Sequence, residues 1–231
     1  MKDLVLLPGW GFDSRVWQPL TRLLEQDFRI HSASDDLPAG AHLPAGAIVC
    51  GWSLGALTAM QMALTQPGRI ARLVLIGATP RFVQAPNWPH AQPAALLEGF
   101  ATAVAADPHT ALRRFAALLN QGDAQARRLT RELSAVLATE ATEVTEVIAT
   151  TLAAGLKTLR DTDLRNDVSR IRQPVLLLHG AHDALMPLAA GECLATHLPN
   201  ARLEVFPDAA HAPFLAHPER CADLLRRFAH E

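Results

Sequence analysis

Long apolar runs are missing from this chain. No stretch approaches the roughly 18 consecutive apolar residues of a membrane-spanning helix, and the opening MKDLVLLPGWG holds too short an apolar run for a secretory signal. A soluble, cytoplasmic protein without a membrane partner is expected. Cysteine is scarce too: Cys50, Cys193 and Cys221 are odd in number and show neither C-x-x-C nor metal-type spacing, which argues against a disulfide framework. Nor is there an excess of charge. The net charge is −2, too small to draw the whole surface toward nucleic acid or an anionic membrane. Internal repeats and low-complexity tracts are absent. What is present, 231 residues of which 49% are hydrophobic and 19% charged, suffices for one compact domain with its own core.

Short apolar runs bounded by Gly, Pro and Asp alternate with helical stretches. Strands are expected at residues 4–7, 28–33, 47–51, 73–76, 175–179 and 203–206, and helices at 14–25 and 54–65. Continuous apolar strands separated by helices indicate an α/β protein, its mostly parallel sheet covered by helices on both faces. All strand C-terminal ends then lie on one edge, where ligands bind. From 79 to 160 no strand pattern occurs. Helical patterns at 93–105, 110–119, 124–138 and 140–154 read as a lid inserted into a single domain whose core is 1–78 and 161–231. The stretch 35–46 reads as a loop.

The sharpest local signal is Gly51-Trp52-Ser53-Leu54-Gly55, placed between an apolar strand and the helical LTAMQMALTQ. That is the strand–turn–helix context in which G-x-S-x-G raises a serine hydroxyl above a sheet. A serine hydroxyl needs a base. His31 falls in a strand, His42, His90 and His109 in loop or lid, and His197, His217 and His230 in or beside helices. His211, in AAHAPF, directly follows the last strand, the position that a Ser…Asp…His order requires. The base needs an acid to fix its tautomer. Asp183, in HGAHDALMP, follows a strand end. Asp161, Asp163 and Asp208 are its rivals; Asp163 precedes its strand and reads as a structural turn acid, and Asp208, in the same loop as His211, is too close in sequence to reach that ring from below. His179 and His182 beside Asp183 form a weak ligand set, so no metal is expected.

An acyl-transfer site also needs donors for the oxyanion. The amide of Leu54 opens a helix, and Pro8-Gly9-Trp10-Gly11 after the first strand supplies that of Trp10. In the lid, Arg127 and Arg131 share a helix face. Arg113 and Arg114 precede the apolar run Phe115, Ala116, Ala117, Leu118, Leu119. These arginines form either a solvated helix face or a dock for an acidic carrier, with the apolar run lining an acyl channel.

PGWG, GWSLG, the RF run of the lid, DTDLR, HGAHD and HAPF-x-x-HP occur in this order over nearly the whole chain. Together they resemble the pimeloyl-ACP methyl ester esterases of biotin synthesis, within the α/β-hydrolase superfamily. The resemblance implies an α/β-hydrolase fold with an inserted helical lid. It also implies hydrolysis of the methyl ester of pimeloyl-ACP to methanol and pimeloyl-ACP, acyl carrier protein as partner, a monomer, and no metal or redox cofactor. By motif, Ser53, Asp183 and His211 take the triad roles. Trp10, Leu54 and the run Phe115 to Leu119 are similar to substrate-contacting positions. Arg114, Arg127 and Arg131 match arginines that hold the carrier's phosphopantetheine and acidic helix. Pro8 stands where many members have histidine, Thr110 where a further arginine is expected, and the region before Ala47 is trimmed. The competing readings are a general short-chain carboxylesterase, a related triad hydrolase or lyase on a CoA or other carrier substrate, and a non-enzymatic receptor on the same fold.

Overall fold

A computed structural model describes residues 1–32, 43–141 and 146–231; the expected loop at 35–46 lies largely outside them. The strands are β1 (Lys2–Leu7), β2 (Phe28–Ser32), β3 (Ala47–Trp52), β4 (Ile70–Ile76), β5 (Val175–Gly180) and β6 (Ala201–Phe206). Among the described residues they form one parallel sheet in the order β2-β1-β3-β4-β5-β6. Several start earlier than their apolar runs: Arg72 pairs with Ile48, and Arg202 with Leu176. Backbone groups make the ladder, so it extends past the residues buried on both faces. The central strands β3 and β5 are buried throughout, whereas edge strand β6 is half exposed, which is why their sequences read as unbroken apolar runs.

The chain leaves β1 toward β2 and then returns to the other side of β1 to build β3 onward. This reversal opens a crevice between the C-terminal ends of β1 and β3, the place where ligands bind in open α/β sheets. Helix α1 (Gln18–Leu24) is shorter than the expected 14–25, because a 3-10 turn, Ser14–Trp17, precedes it. Pro19 lacks an N–H and sits in the first turn of α1, so one continuous helix cannot form there. Helix α2 (Leu54–Thr65) has the expected bounds and is buried on most sides, which its sequence of Ala, Leu, Met and Gly requires.

Between β4 and β5 come helices α3 (Ala94–Ala106), α4 (Pro108–Leu119), α5 (Ala126–Ala141) and α6 (Glu146–Asp161); after β5 come α7 (Leu188–His197), α8 (Pro213–Ala216) and α9 (Pro218–His230). Helix α6 ends seven residues beyond the expected 154, because it runs through Gly155 instead of stopping there. Buried residues of these inserted helices join the same hydrophobic core as the sheet. The two ends of the insertion are tied at Asp163. Its carboxylate accepts from Arg81 at 2.7 Å and Arg165 at 2.8 Å, and the Leu164 N–H donates to the Pro80 carbonyl at 2.9 Å. Asp163 is thus a structural acid.

The Arg165 hydrogen bonds, with help from Arg81 and against partial burial, hold the Asp163 carboxyl down at about 2. A depressed folded-state value means that this contact stabilises fully above the ordinary 3.8 and is lost as pH falls through about 2. We therefore expect the difference in thermal midpoint between wild type and Asp163→Asn to be constant at neutral pH and to shrink toward zero in that acid window. Thermal scans by circular dichroism at stepped pH test this; a difference that persists unchanged in acid would contradict it.

Candidate active site

At the end of β3 the chain turns sharply at Ser53, whose φ of 58° and ψ of −118° are unusual for a residue with a side chain. Such a conformation costs about 1–3 kcal/mol and persists only where its surroundings fix it. The Ser53 N–H donates to the Ile76 carbonyl at 2.9 Å. A side chain on Gly51 would overlap the Gly55 carbonyl, and one on Gly55 the carbonyls of Leu7 and Pro8. Both glycines of the motif are therefore demanded by close backbone approach, and the turn is pressed against the end of β1.

The loop after β1 closes on itself through the Phe12 N–H and the Gly9 carbonyl at 3.2 Å. It lies on the serine turn, where a Cβ on Gly9 would stand 3.2 Å from Ser53 Cβ. Among the described residues, the backbone N–H groups of Trp10 and Leu54 donate no turn, cap or side-chain hydrogen bond. These two uncommitted donors, one at the N-terminus of α2 next to Ser53 and one in the loop packed on the serine turn, are candidates to receive a developing oxyanion.

His211 is fully buried, and its Nδ1–H donates to Asp183 Oδ2 at 2.7 Å. Because Nδ1 carries the proton, Nε2 is left as an acceptor, and it makes no hydrogen bond among the described residues. The imidazole stands against Gly77, where a Cβ would come within 3.0 Å of Nδ1, and its ring lies 5.6 Å from that of Trp52. Gly77 follows the carbonyl that anchors Ser53, and Trp52 precedes Ser53 itself. The structure thus brings residues 53, 183 and 211 to one edge of the sheet.

Asp183 Oδ1 accepts from the N–H groups of Leu185 at 3.0 Å and Met186 at 2.8 Å. Burial alone pushes this carboxyl upward. The His211 charge and hydrogen bond, the nearby His179 and the Met186 N–H outweigh it, so the group sits below the usual carboxylate value and is ionised near neutrality.

Several supporting residues escape sequence reasoning. The Trp52 indole donates to the His211 carbonyl at 2.8 Å. The His211 N–H donates to the Leu119 carbonyl at 3.1 Å, and Asp123 accepts from the Ala210 N–H at 2.9 Å. The loop after α4 therefore holds the histidine loop in place. His179, fully buried, donates to the Met186 carbonyl at 2.7 Å and lies 3.5 Å from Asp183 Oδ2, whereas His182 is exposed. Burial drives the thiols of Cys50 and Cys221 far above their ordinary value, so Cys50 serves packing.

An apolar cavity of about 340 Å³ opens above Ser53, within the size range of small-molecule sites. Trp10, Phe82, Phe100 and Leu159 form part of its wall. Of the expected run in α4, Phe115 and Leu118 line the cavity; Ala116 and Leu119 are buried elsewhere and Ala117 is exposed. A helix turns only two of five consecutive residues toward one cavity. Leu96 and Leu118, 61% and 38% exposed, lie at its rim. A larger groove, about 480 Å³, runs between α3 and α6 and includes none of the three residues at 53, 183 and 211.

Arg114, Arg127 and Arg131 are exposed on α4 and α5. None of them forms an ion pair among the described residues, whereas neighbouring Arg128 is held by Glu132, Gln125 and the Leu215 carbonyl. Thr110 is held within its own helix end, its N–H donating to Asp107 and its hydroxyl accepting from Arg113. No helix among the described residues is long and apolar enough to cross a membrane.

Residues 37–218 match the family described as alpha/beta hydrolase fold. The chain is 45% identical over 244 residues to a pimeloyl-[acyl-carrier protein] methyl ester esterase of Aromatoleum aromaticum, the match covering 96% of each chain. It is 38% identical to the protein of the same name from Nitrosomonas europaea, with 96% of this chain and 95% of that one covered. An esterase from Exiguobacterium antarcticum superposes with a TM-score of 0.85 at 20% identity, over 100% of this chain and 92% of its own, which speaks for the fold alone. By its fold and by its relatives over nearly its whole length, this chain belongs to the pimeloyl-[acyl-carrier protein] methyl ester esterase family of the α/β hydrolases.

Proposed function

We propose that the chain is a serine carboxylesterase that hydrolyses the methyl ester of pimeloyl-acyl carrier protein to methanol and pimeloyl-acyl carrier protein, in biotin synthesis. The observation that carries this reading is the buried Asp183–His211 pair at 2.7 Å, its Nε2 unpartnered, beside a strained Ser53 at the base of an apolar cavity. His211 Nε2 takes the Ser53 proton as Oγ attacks the ester carbonyl. Negative charge on the carbonyl oxygen is received by the N–H groups of Trp10 and Leu54. His211 returns the proton to the departing methoxide, giving methanol. Water then attacks the acyl-serine under the same base, releasing the carboxylate and regenerating Ser53. Asp183 keeps the imidazole in the required tautomer and stabilises its protonated form.

The reaction must spare the thioester to the carrier. Residues 79–160 act as a lid over the core at 1–78 and 161–231, and the apolar cavity beneath it holds the acyl chain extended between Ser53 and the leucine rim, so that only the methyl ester end reaches Oγ. Arg114, Arg127 and Arg131 hold the carrier outside. Their exposure, and the lack of an ion pair to any of them among the described residues, support this, as does Leu118, which lies one turn after Arg114 at the cavity mouth. A monomer in the cytoplasm, where the three free thiols stay reduced, completes the reading.

The arginines provide the test. Arg127→Ala with Arg131→Ala should raise KM for the carrier-bound methyl ester by about 3- to 10-fold, with a weakened salt dependence. Hydrolysis of a free short-chain methyl ester should be unchanged. Equal losses on both substrates would move the assignment to a general short-chain carboxylesterase.

A further inference from the structure

Trp10 is only 3% exposed, and inserted helices surround its indole. The edges of Phe100 and Phe115 meet it at centroid distances of 5.2 and 5.0 Å, and Nε1–H donates to the Leu152 carbonyl of α6 at 2.8 Å. Three residues further along α6 is Gly155. A Cβ there would stand 2.6 Å from Trp10 Cδ1, 3.2 Å from Trp10 Nε1 and 3.2 Å from Leu54 Cδ2. At this point a bare helix backbone meets the side chains of both residues assigned as oxyanion donors. Glycine inside a helix is unfavourable relative to alanine, and the Gly155 φ lies outside the left-handed region. Backbone conformation therefore does not call for glycine here; the space taken by the indole does.

We propose that Gly155 and the Leu152 carbonyl form a latch through which α6 positions the Trp10 and Leu54 amides. The oxyanion site is then complete only while the insertion is seated. Gly155 is a positioning residue, and the proposal rests on the assignment of Trp10 and Leu54 as oxyanion donors. Simple packing would act differently: a loosened wall changes substrate affinity and stability, whereas misplaced donors change the chemical step with little change in ground-state binding.

Gly155→Ala, with folding checked by circular dichroism, should lower kcat for a free methyl ester by about 10- to 100-fold, as for a displaced oxyanion donor, with KM within about twofold. Binding of a trifluoromethyl ketone analogue, which forms an oxyanion on Ser53, should weaken by a similar factor. Trp10→Phe keeps the ring contacts but removes Nε1–H and should lower kcat by about 5- to 10-fold. The double variant should fall little below Gly155→Ala, because both changes break one contact. If Gly155→Ala does not fold, Trp10→Phe decides by the same measures. Folded variants with kcat within about twofold of wild type, or with losses in KM alone, overturn the latch. Failure of the underlying assignment reads differently: Ser53→Ala would keep its turnover, or wild type would bind the ketone no more tightly than the ester.

Discussion

Ser53→Ala and His211→Ala should each lower kcat for the methyl ester by about 10⁵- to 10⁶-fold, and the double variant should be no worse than either single one. The two side chains act as one unit. Without the hydroxyl there is no nucleophile for the imidazole to activate, and without Nε2 the hydroxyl keeps its proton. KM should change little, because the apolar walls and the rim leucines remain. Ser53→Ala leaves the turn strained but intact, since the Ile76 carbonyl and the packing of Gly51 and Gly55 fix it independently of Oγ. His211→Ala retains its backbone anchors to Leu119 and to the Trp52 indole. Both proteins should therefore fold, and a fluorophosphonate probe should label wild type but not Ser53→Ala. Turnover by either variant within tenfold of wild type would remove the covalent mechanism.

The candidate site was legible because each of its members stands just beyond the C-terminal end of a strand. Sequence marks such places well: an apolar run, a glycine or turn, and then a chemically able side chain. Ser53, Asp183 and His211 follow β3, β5 and β6 in this way, and Trp10 follows β1. The supports of the site carry no such mark. Asp123 reaches Ala210 across 87 residues, and the Trp52 indole reaches the His211 carbonyl across 159. A hydrogen bond between distant segments leaves no periodic trace in the chain. The cavity was legible only in part for a related reason. A run of apolar residues in α4 can be seen in sequence, but which of them face Ser53 depends on how the helix is rotated. The wall opposite, with Phe82, Phe100 and Leu159, comes from other elements altogether.

For the fold, the order of strands and helices followed from alternating patterns, whereas boundaries followed only where chemistry punctuates the chain. Helix α2 begins at a serine turn, and its bounds were readable. Helix α6 has one glycine in its length and no proline, and that glycine serves tertiary contact with Trp10 rather than termination. Pro19 had the opposite effect, splitting a stretch whose apolar spacing alone reads as a single helix. In each case tertiary packing or backbone chemistry overrode the hydrophobic pattern.

Asp183→Asn should lower kcat by about 10⁴-fold while leaving KM and the fold nearly unchanged. Oδ1 receives two backbone N–H groups and Oδ2 the His211 Nδ1–H. An amide can keep its oxygen on the backbone donors, but its NH₂ then faces Nδ1 and must donate. The proton of the imidazole moves to Nε2, which can no longer accept from Ser53. His179 cannot rescue the arrangement, because its Nε2–H is held by the Met186 carbonyl and it offers no carboxylate. The pH dependence has a definite sign. The His211 interaction and its companions leave Asp183 below the ordinary carboxylate value of 3.8 despite its burial. Wild type is thus ionised at this position across the neutral range, so titration of the Asp183 carboxyl itself adds no pH dependence to the rate there. The stability that the carboxylate contributes is complete above 3.8 and disappears as pH falls through the lower folded-state value, so the two proteins should converge in thermal midpoint only in strong acid. A rate ratio under tenfold, or convergence near neutral pH, would mean that the 2.7 Å contact of Asp183 with His211 does not orient the base.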